Sequence, residues 1–333
     1  MLVLVAAPTV TVFVQSLFAQ SERSVSTTEI CGPFGCVAQS GVSQGSPVTG
    51  DAAKRFVGFS HYRDRAHLAF DQIRDQWQSS PDFAAFIGNV AALPFYGALF
   101  FTLMYTLLVT PLAILLGLGL ACCIKNLAPR YRAPIVFITL LPMVVTPLMG
   151  ALTLFWMLDT HAILGTVLRT IAGNDTLSVR SSTPLSWLVL IIHGIWQSAP
   201  LAFVVYYAGL HTVPRTLVDS ARVDGASRWQ TLRYVTLPYL LPMTVFLVLV
   251  QVMDNFRVLD PVIGFSTDGF VRSLSFNVYA DLQSDAMRVN SAATTSALMI
   301  VLLALLMTPV LLWLIRHKTQ NSLKGMQWRT RLG

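Results

Sequence analysis

Apolar residues fall into six long runs, near residues 2–18, 95–124, 133–158, 185–210, 239–259 and 292–315, separated by polar segments. A helix needs about 20 mostly apolar residues to cross a bilayer core. The pattern therefore predicts an all-α membrane protein of six transmembrane helices. The first run lacks the basic n-region of a secretory signal and exceeds the usual h-region, so it reads as a retained span. The second is long enough to tilt or to begin on the membrane surface. Pro111, Pro142, Pro147, Pro200 and Pro242 interrupt the spans. Such prolines are tolerated where neighbouring helices or water satisfy the freed carbonyls.

The connecting segments differ in charge. Residues 125–132, 211–238 and 316–333 carry 3, 4 and 5 Lys/Arg, and their only acids are Asp219 and Asp224. Residues 19–94, 159–184 and 260–291 hold most of the acids. The positive-inside rule assigns the basic set, and with six spans both termini, to the cytoplasm. The segment 19–94 is then periplasmic. Its first half, rich in Ser, Thr, Gly, Gln and Pro, reads as loop. Its second half predicts short helices around 70–77 and 82–86. The spans from 95 to 315 form the core, and 316–333 a cytoplasmic tail.

Composition agrees. The 333 residues are 54% hydrophobic and 12% charged, against about 25% charged in soluble domains. The net charge of +7 comes from basic residues between apolar runs, which points to membrane topology rather than nucleic acid. Cys122 and Cys123 sit inside an apolar run as small buried residues. Cys31 and Cys36 flank Gly-Pro-Phe-Gly, and in an oxidising periplasm a local disulfide is expected. No second ligand pair lies nearby, so no metal site is expected.

The most informative loop runs from Leu217 to Pro238. Pro214 opens a helix to about Val223. Asp224-Gly225 makes a turn, with Gly225 free to take positive φ. A second short helix covers about 226–235, and Pro238 begins the fifth span. Taken alone, such a segment also suits an interfacial amphipathic helix, with Trp229 and Leu232 dipping into lipid.

Asp219-Ser220-Ala221, then Gly225, Val235 and Leu237-Pro238, resembles the "EAA" motif of binding-protein-dependent ABC importer permeases. Asp-Ser-Ala stands where that family has Glu-Ala-Ala, and the spacing to Gly and Leu-Pro is kept. The resemblance implies a coupling helix held in a cleft of a cytoplasmic ATPase. Gly225 would make its turn, Ala226, Ser227 and Trp229 would dock, and Asp219 and Asp224 would serve as caps or polar contacts. The chain has no G-x-x-x-x-G-K-[ST] phosphate loop. It is therefore a transporter subunit rather than an enzyme and binds no cofactor, with ATP and Mg²⁺ held by the partner ATPase. The implied partners are a second homologous permease, two ATPase subunits and a periplasmic solute-binding protein, in the inner membrane.

Two stretches are similar to the carbohydrate-type branch of maltose and glycerol-phosphate permeases: Phe56-Val-Gly-Phe-Ser-His-Tyr-Arg63 and Met253-Asp-Asn-Phe-Arg-Val-Leu-Asp260. Ser-Thr-Asp-Gly at 266–269 replaces the Gly-Gly-Pro usual there. The implied solute is sugar-like: a disaccharide, polyol or glycerol phosphate.

Polar side chains inside spans are costly and default to a functional reading. Gln251 and Asn255 share a helix face, with Val248 and Val252 beside them. Gln197 and Ser198 precede Pro200, and Leu201 follows it. These neutral groups suit a sugar, and in maltose-type permeases the matching stretches 196–200 and 248–255 line the solute pocket. They equally suit hydrogen bonds between helices. Asp254 and Arg257 are placed to pair. His193, Tyr206 and Tyr207 read as packing residues. Two rivals are an amino-acid or peptide permease and an ion-coupled secondary transporter. For the latter, no internal repeat is evident.

Overall fold

A computed structural model of the chain describes residues 2–19, 28–32, 35–39, 55–63, 67–79, 82–159, 162–172, 183–265, 271–284 and 288–331. The chain divides into two compact units, Met1–Phe100 with Arg272–Leu302, and Phe101–Val271 with Leu303–Gly333. In chain order, α1 (Leu2–Ser16) is followed by the short strands β1 (Phe18–Ala19), β2 (Thr28–Gly32), β3 (Gly35–Gln39) and β4 (Arg55–Phe56). Then come α2 (Ser60–Arg63), α3 (Phe70–Ser79), α4 (Phe83–Ala91), α5 (Pro94–Lys125), α6 (Pro129–Val144), α7 (Pro147–Met157) and α8 (Ile163–Ala172). The remainder is α9 (Thr183–Thr212), α10 (Arg215–Val223), α11 (Arg228–Thr231), a π-helical turn (Leu232–Thr236), α12 (Leu237–Phe256), α13 (Asp260–Gly264), α14 (Leu274–Gln283) and α15 (Val289–Arg331).

The apolar runs are mostly helical. Among the described residues four helices are long and apolar enough to span a bilayer: Pro94–Lys125, Pro184–Thr212, Arg228–Phe256 and Val289–Trp313. The pair α6 and α7 makes a fifth if its two halves count as one span. Six were expected. Helix α1 has 15 residues, about 22 Å of rise against roughly 30 Å of hydrocarbon.

The third expected span is not one helix, because α6 and α7 meet at a bend of 91°. Val145 and Thr146 between them are extended, with ψ of 126° and 140°. Pro147 is the cause: its ring drives the preceding residue out of the α region, and it brings no N–H to the ladder.

In the first unit, part of the segment expected to be loop forms two antiparallel ladders, β1 with β4 and β2 with β3. Register pairs Cys31 with Cys36 across the second; the sulfur atoms lie outside the described side chains. The predicted short helices appear as α3 and α4. Buried His67 Nε2 lies 3.2 Å from Ser291 O, and Ser291 Oγ donates to Asp281 Oδ2 at 2.7 Å. Tyr96 Oη donates to Leu68 O at 2.8 Å. These bonds tie residues 67–68 to α14, α15 and the start of α5.

The core of the second unit is Ile114, Ala121, Ala202, Phe203, Tyr206, Leu210, Leu240 and Leu247, contributed by α5, α9 and α12. Without a hydrophobic drive between helices in lipid, close approach at small residues holds such a bundle together. A Cβ on Gly117 would stand 2.7 Å from Phe203 N and 2.8 Å from Ala202 C, so α5 and α9 cross nearly backbone to backbone. Tyr206 Oη donates to Thr244 Oγ1 at 3.0 Å, linking α9 to α12. Lys125 Nζ donates to Leu210 O at 3.0 Å, placing a cation at the carbonyl end of α9.

Gly117→Ala is expected to cost about 1–3 kcal/mol through overpacking. Gly119→Ala, whose Cβ would meet nothing within 4 Å, should not destabilise the fold. Thermal unfolding in detergent, followed by size-exclusion recovery, separates the two.

Candidate functional site

Two sets of residues concentrate the chemistry, both in the second unit. The first is the loop between α9 and α12. Pro214 caps α10, and Asp224 closes it. Asp224 N donates to Ser220 O and Gly225 N to Arg222 O, both at 3.0 Å, and Ala226 N to Ala221 O at 2.9 Å. Gly225 has φ +80°. A Cβ there would touch nothing within 4 Å, so glycine is required by the backbone conformation alone.

Ser227 then caps the next helix. Its Oγ accepts from Gln230 N at 3.3 Å, while Gln230 Oε1 accepts from Ser227 N at 2.8 Å. This reciprocal pair is a capping box. Asp219 pairs with Arg222 at 3.6 Å on an exposed surface, where an ion pair contributes little. Ser220 Oγ donates to Leu217 O at 3.1 Å.

The second loop helix does not end before the fifth span, as the sequence suggested. It runs from α11 through the π turn into α12, so Pro238 lies inside a continuous helix. A proline ring there collides with the carbonyl four residues back and offers no donor. Leu237 N instead donates to Leu232 O, five residues back. That widened turn makes room for the ring.

The loop leaves its apolar side chains uncovered: Val223 is 87% exposed, Trp229 67% and Tyr234 70%. Thr231 and Thr236 are buried, and Val218 packs on the core. Trp229 was expected on such a face. Val223 and Tyr234 were not singled out, although Tyr234 is the one aromatic in the turn before Pro238.

The second set is a polar network beside Pro200 of α9. Gln251 Nε2 donates to Ser198 O at 3.1 Å. Asn255 Nδ2 donates to Thr110 Oγ1 at 3.0 Å, and Ser198 Oγ lies 3.4 Å from Asn255 Oδ1. Gln197 Nε2 donates to Val145 O, at the α6–α7 break, at 3.0 Å. The network joins α5, α9, α12 and the broken helix. Gln251 and Asn255 are buried, and Leu201, Val248 and Val252 are half-buried. Leu201 and Val248 pack on the core cluster. Thr110 escaped the sequence reading; its place before Pro111, in a span, was the available signal.

Both glutamine amide oxygens, Gln197 Oε1 and Gln251 Oε1, are buried and accept no hydrogen bond. Each side chain uses its NH₂ on a backbone carbonyl and leaves its acceptor open. His193 is buried with neither ring nitrogen bonded. It fits because residue 150 is glycine, where a Cβ would stand 3.0 Å from Nε2. Asp254 and Arg257 pair at 3.4 Å, exposed, at the end of α12. Among the described residues no cluster of His, Cys, Asp and Glu could hold a metal. The stretch 266–269 lies outside the described residues.

Residues 83–324 match the family of binding-protein-dependent transport system inner membrane components. A probable ABC transporter permease protein of Pyrococcus horikoshii is 27% identical over 269 residues, covering 79% of this chain and 87% of its own. The trehalose/maltose transport system permease protein MalF of Thermococcus litoralis is 26% identical over 204 residues, 57% of this chain and 66% of that one. In fold, the chain is similar to a bacterial ABC transporter involved in the import of the acidic polysaccharide alginate. The TM-score is 0.56 at 24% identity, covering 73% of this chain and 89% of that one.

Asn255→Leu removes the bond to Thr110 and the acceptor for Ser198. It should lower stability by about 1–2 kcal/mol, the upper range for interhelical polar bonds in a membrane. Asp254→Asn, at the exposed pair, should change stability by less than about 0.5 kcal/mol. Unfolding in mixed micelles checks both.

Proposed function

Because this chain belongs to the binding-protein-dependent transport system inner membrane components, it is a permease subunit of an ABC importer, and we propose that it translocates a sugar or sugar-like solute. Disaccharide, polyol and glycerol phosphate all fit the proposal. The solute would arrive on a periplasmic binding protein and pass between this chain and a second, homologous permease. Two ATPase subunits on the cytoplasmic side would supply the energy, holding ATP and Mg²⁺ themselves.

The observation that carries the reading is one continuous helix, Arg228–Phe256. Its first turn lies beside the exposed Val223, Trp229 and Tyr234, and its far end holds Gln251 and Asn255. Some 23 residues separate Arg228 from Gln251, roughly 35 Å at 1.5 Å per residue. A displacement imposed at the loop by a closing ATPase pair would be felt at the polar network without an intervening joint. Gly225, Ala226, Ser227 and Trp229 belong to the docking surface, and Asp219 and Asp224 to its polar edge. Leu237 and Pro238 set the π turn that joins lever to span.

The solute class is supported from two sides. The open acceptors at Gln197 and Gln251 suit a solute that donates hydroxyl hydrogens, with Ser198, Leu201, Val248, Val252 and Asn255 as the neighbouring wall. The T. litoralis relative is named for trehalose and maltose transport. The final span, only 11% buried within the chain, offers apolar surface for lipid and for the second permease. The basic segments 125–132, 211–238 and 316–333 support a cytoplasmic loop and cytoplasmic termini, with α1 counted as a sixth membrane segment.

Gly225→Asp, strained at φ +80°, should abolish ATP-driven uptake while the chain still inserts in the membrane. Trp229→Ala should weaken ATPase association by about 2 kcal/mol if it is a central anchor. Uptake into vesicles loaded with ATP, and co-purification of the ATPase, read these outcomes. Normal uptake by Gly225→Asp would overturn the coupling role. Mass spectrometry of the co-purified binding protein names the ligand, and an amino acid or peptide there would overturn the solute class.

A further inference from the structure

Between Asp82 and Lys125 the chain carries no Asp, Glu, Lys or Arg. Helix α5, 32 residues ending at Lys125, has about 48 Å of rise, which already exceeds the roughly 30 Å hydrocarbon core. Helix α4 cannot lengthen the crossing and is nonetheless uncharged throughout.

The turn between the two helices is tight. Ala92 N donates to Gly88 O at 3.1 Å, Leu93 N to Val90 O at 3.0 Å and Gly97 N to Leu93 O at 2.8 Å. A Cβ on Gly97 would stand 2.7 Å from Ala91 O. Only a residue without a side chain lets the end of α4 pass so close to the first turn of α5. Helix α4 is thereby held at the mouth of the span. Helix α3 packs on it through Trp77 and Phe86, whose rings meet edge to face at 5.1 Å.

The pair has two unlike edges. Phe70, Trp77 and Ile87 are each more than half exposed. Asp71 and Asp75 are exposed on the other side of α3, some 120–160° from Trp77 at 100° per residue. Amphipathic helices with Trp and aliphatic residues on one face settle at the headgroup–acyl boundary. Arg74 is also exposed, about 40–60° from Phe70 and Trp77, where a long cation reaches the headgroups from an apolar face. A soluble partner would have to cover uncharged α4, which continues directly into a lipid-embedded helix.

We propose that α3 and α4 form an interfacial hairpin whose partner is the bilayer itself, with Phe70, Trp77 and Ile87 in the acyl boundary and Asp71 and Asp75 in water. This depends on α5 crossing the membrane, not on the solute or on the coupling loop, so its failure leaves those readings untouched.

The test is photo-crosslinking in the complete transporter in native membranes, with p-benzoylphenylalanine placed singly at Phe70, Ile87 and Asp75. Phospholipid adducts by mass spectrometry are expected at Phe70 and Ile87, several-fold above Asp75. Adducts to the binding protein or another protein at Phe70 and Ile87 would overturn the proposal. So would equal lipid labelling at Asp75, or no lipid adduct at either apolar position. ATP-driven uptake by each labelled complex shows that the transporter remains assembled.

Discussion

A backbone carbonyl freed inside a bilayer must find a donor, because no water is there to supply one. Much of this structure follows from how that demand is met at its prolines. At the α6–α7 break, Val145 O receives Gln197 Nε2. Two residues before Pro200 in α9, Ser198 O also receives a side-chain donor, Gln251 Nε2, although the carbonyl that Pro200 deprives of its helical partner is that of Trp196. At Pro238 the ladder shifts by one residue, and Leu237 N reaches Leu232 O. Gln197 and Gln251 thus stand near the prolines of α7 and α9 as donors to backbone carbonyls, a structural duty first.

That use has a chemical consequence. A primary amide has a donor end and an acceptor end. Turning both glutamine NH₂ groups to the backbone leaves two buried oxygens without a donor, which is what the proposed sugar-like solute would supply. Structural duty and solute contact are therefore compatible on one side chain, and the interhelical reading of Gln197 and Gln251 does not compete with the pathway reading. Asn255 is more fully committed, bonded through both ends to Thr110 and Ser198.

The same accounting of backbone groups makes the continuous helix on which the proposed coupling rests. Had Pro238 begun a new helix, a flexible joint would separate the loop from α12. The π turn keeps the helix whole, and the capping box at Ser227 and the positive φ of Gly225 fix where it begins. The exposed Val223, Trp229 and Tyr234 are then presented from a rigid support.

The helical class, the extents of α5, α9 and α12 near their observed limits, the turn at Gly225 and the exposed Trp229 were all legible in the sequence. Each depends on local chemistry: runs of apolar residues, a glycine at a positive-φ position, or charge between spans. The partners of Gln197 and Gln251, the role of Thr110 and the close crossing of α5 and α9 were not. These depend on which donor lies near which freed carbonyl and on how closely backbones cross at Gly117, and such proximities arise only when segments far apart in the chain are packed together.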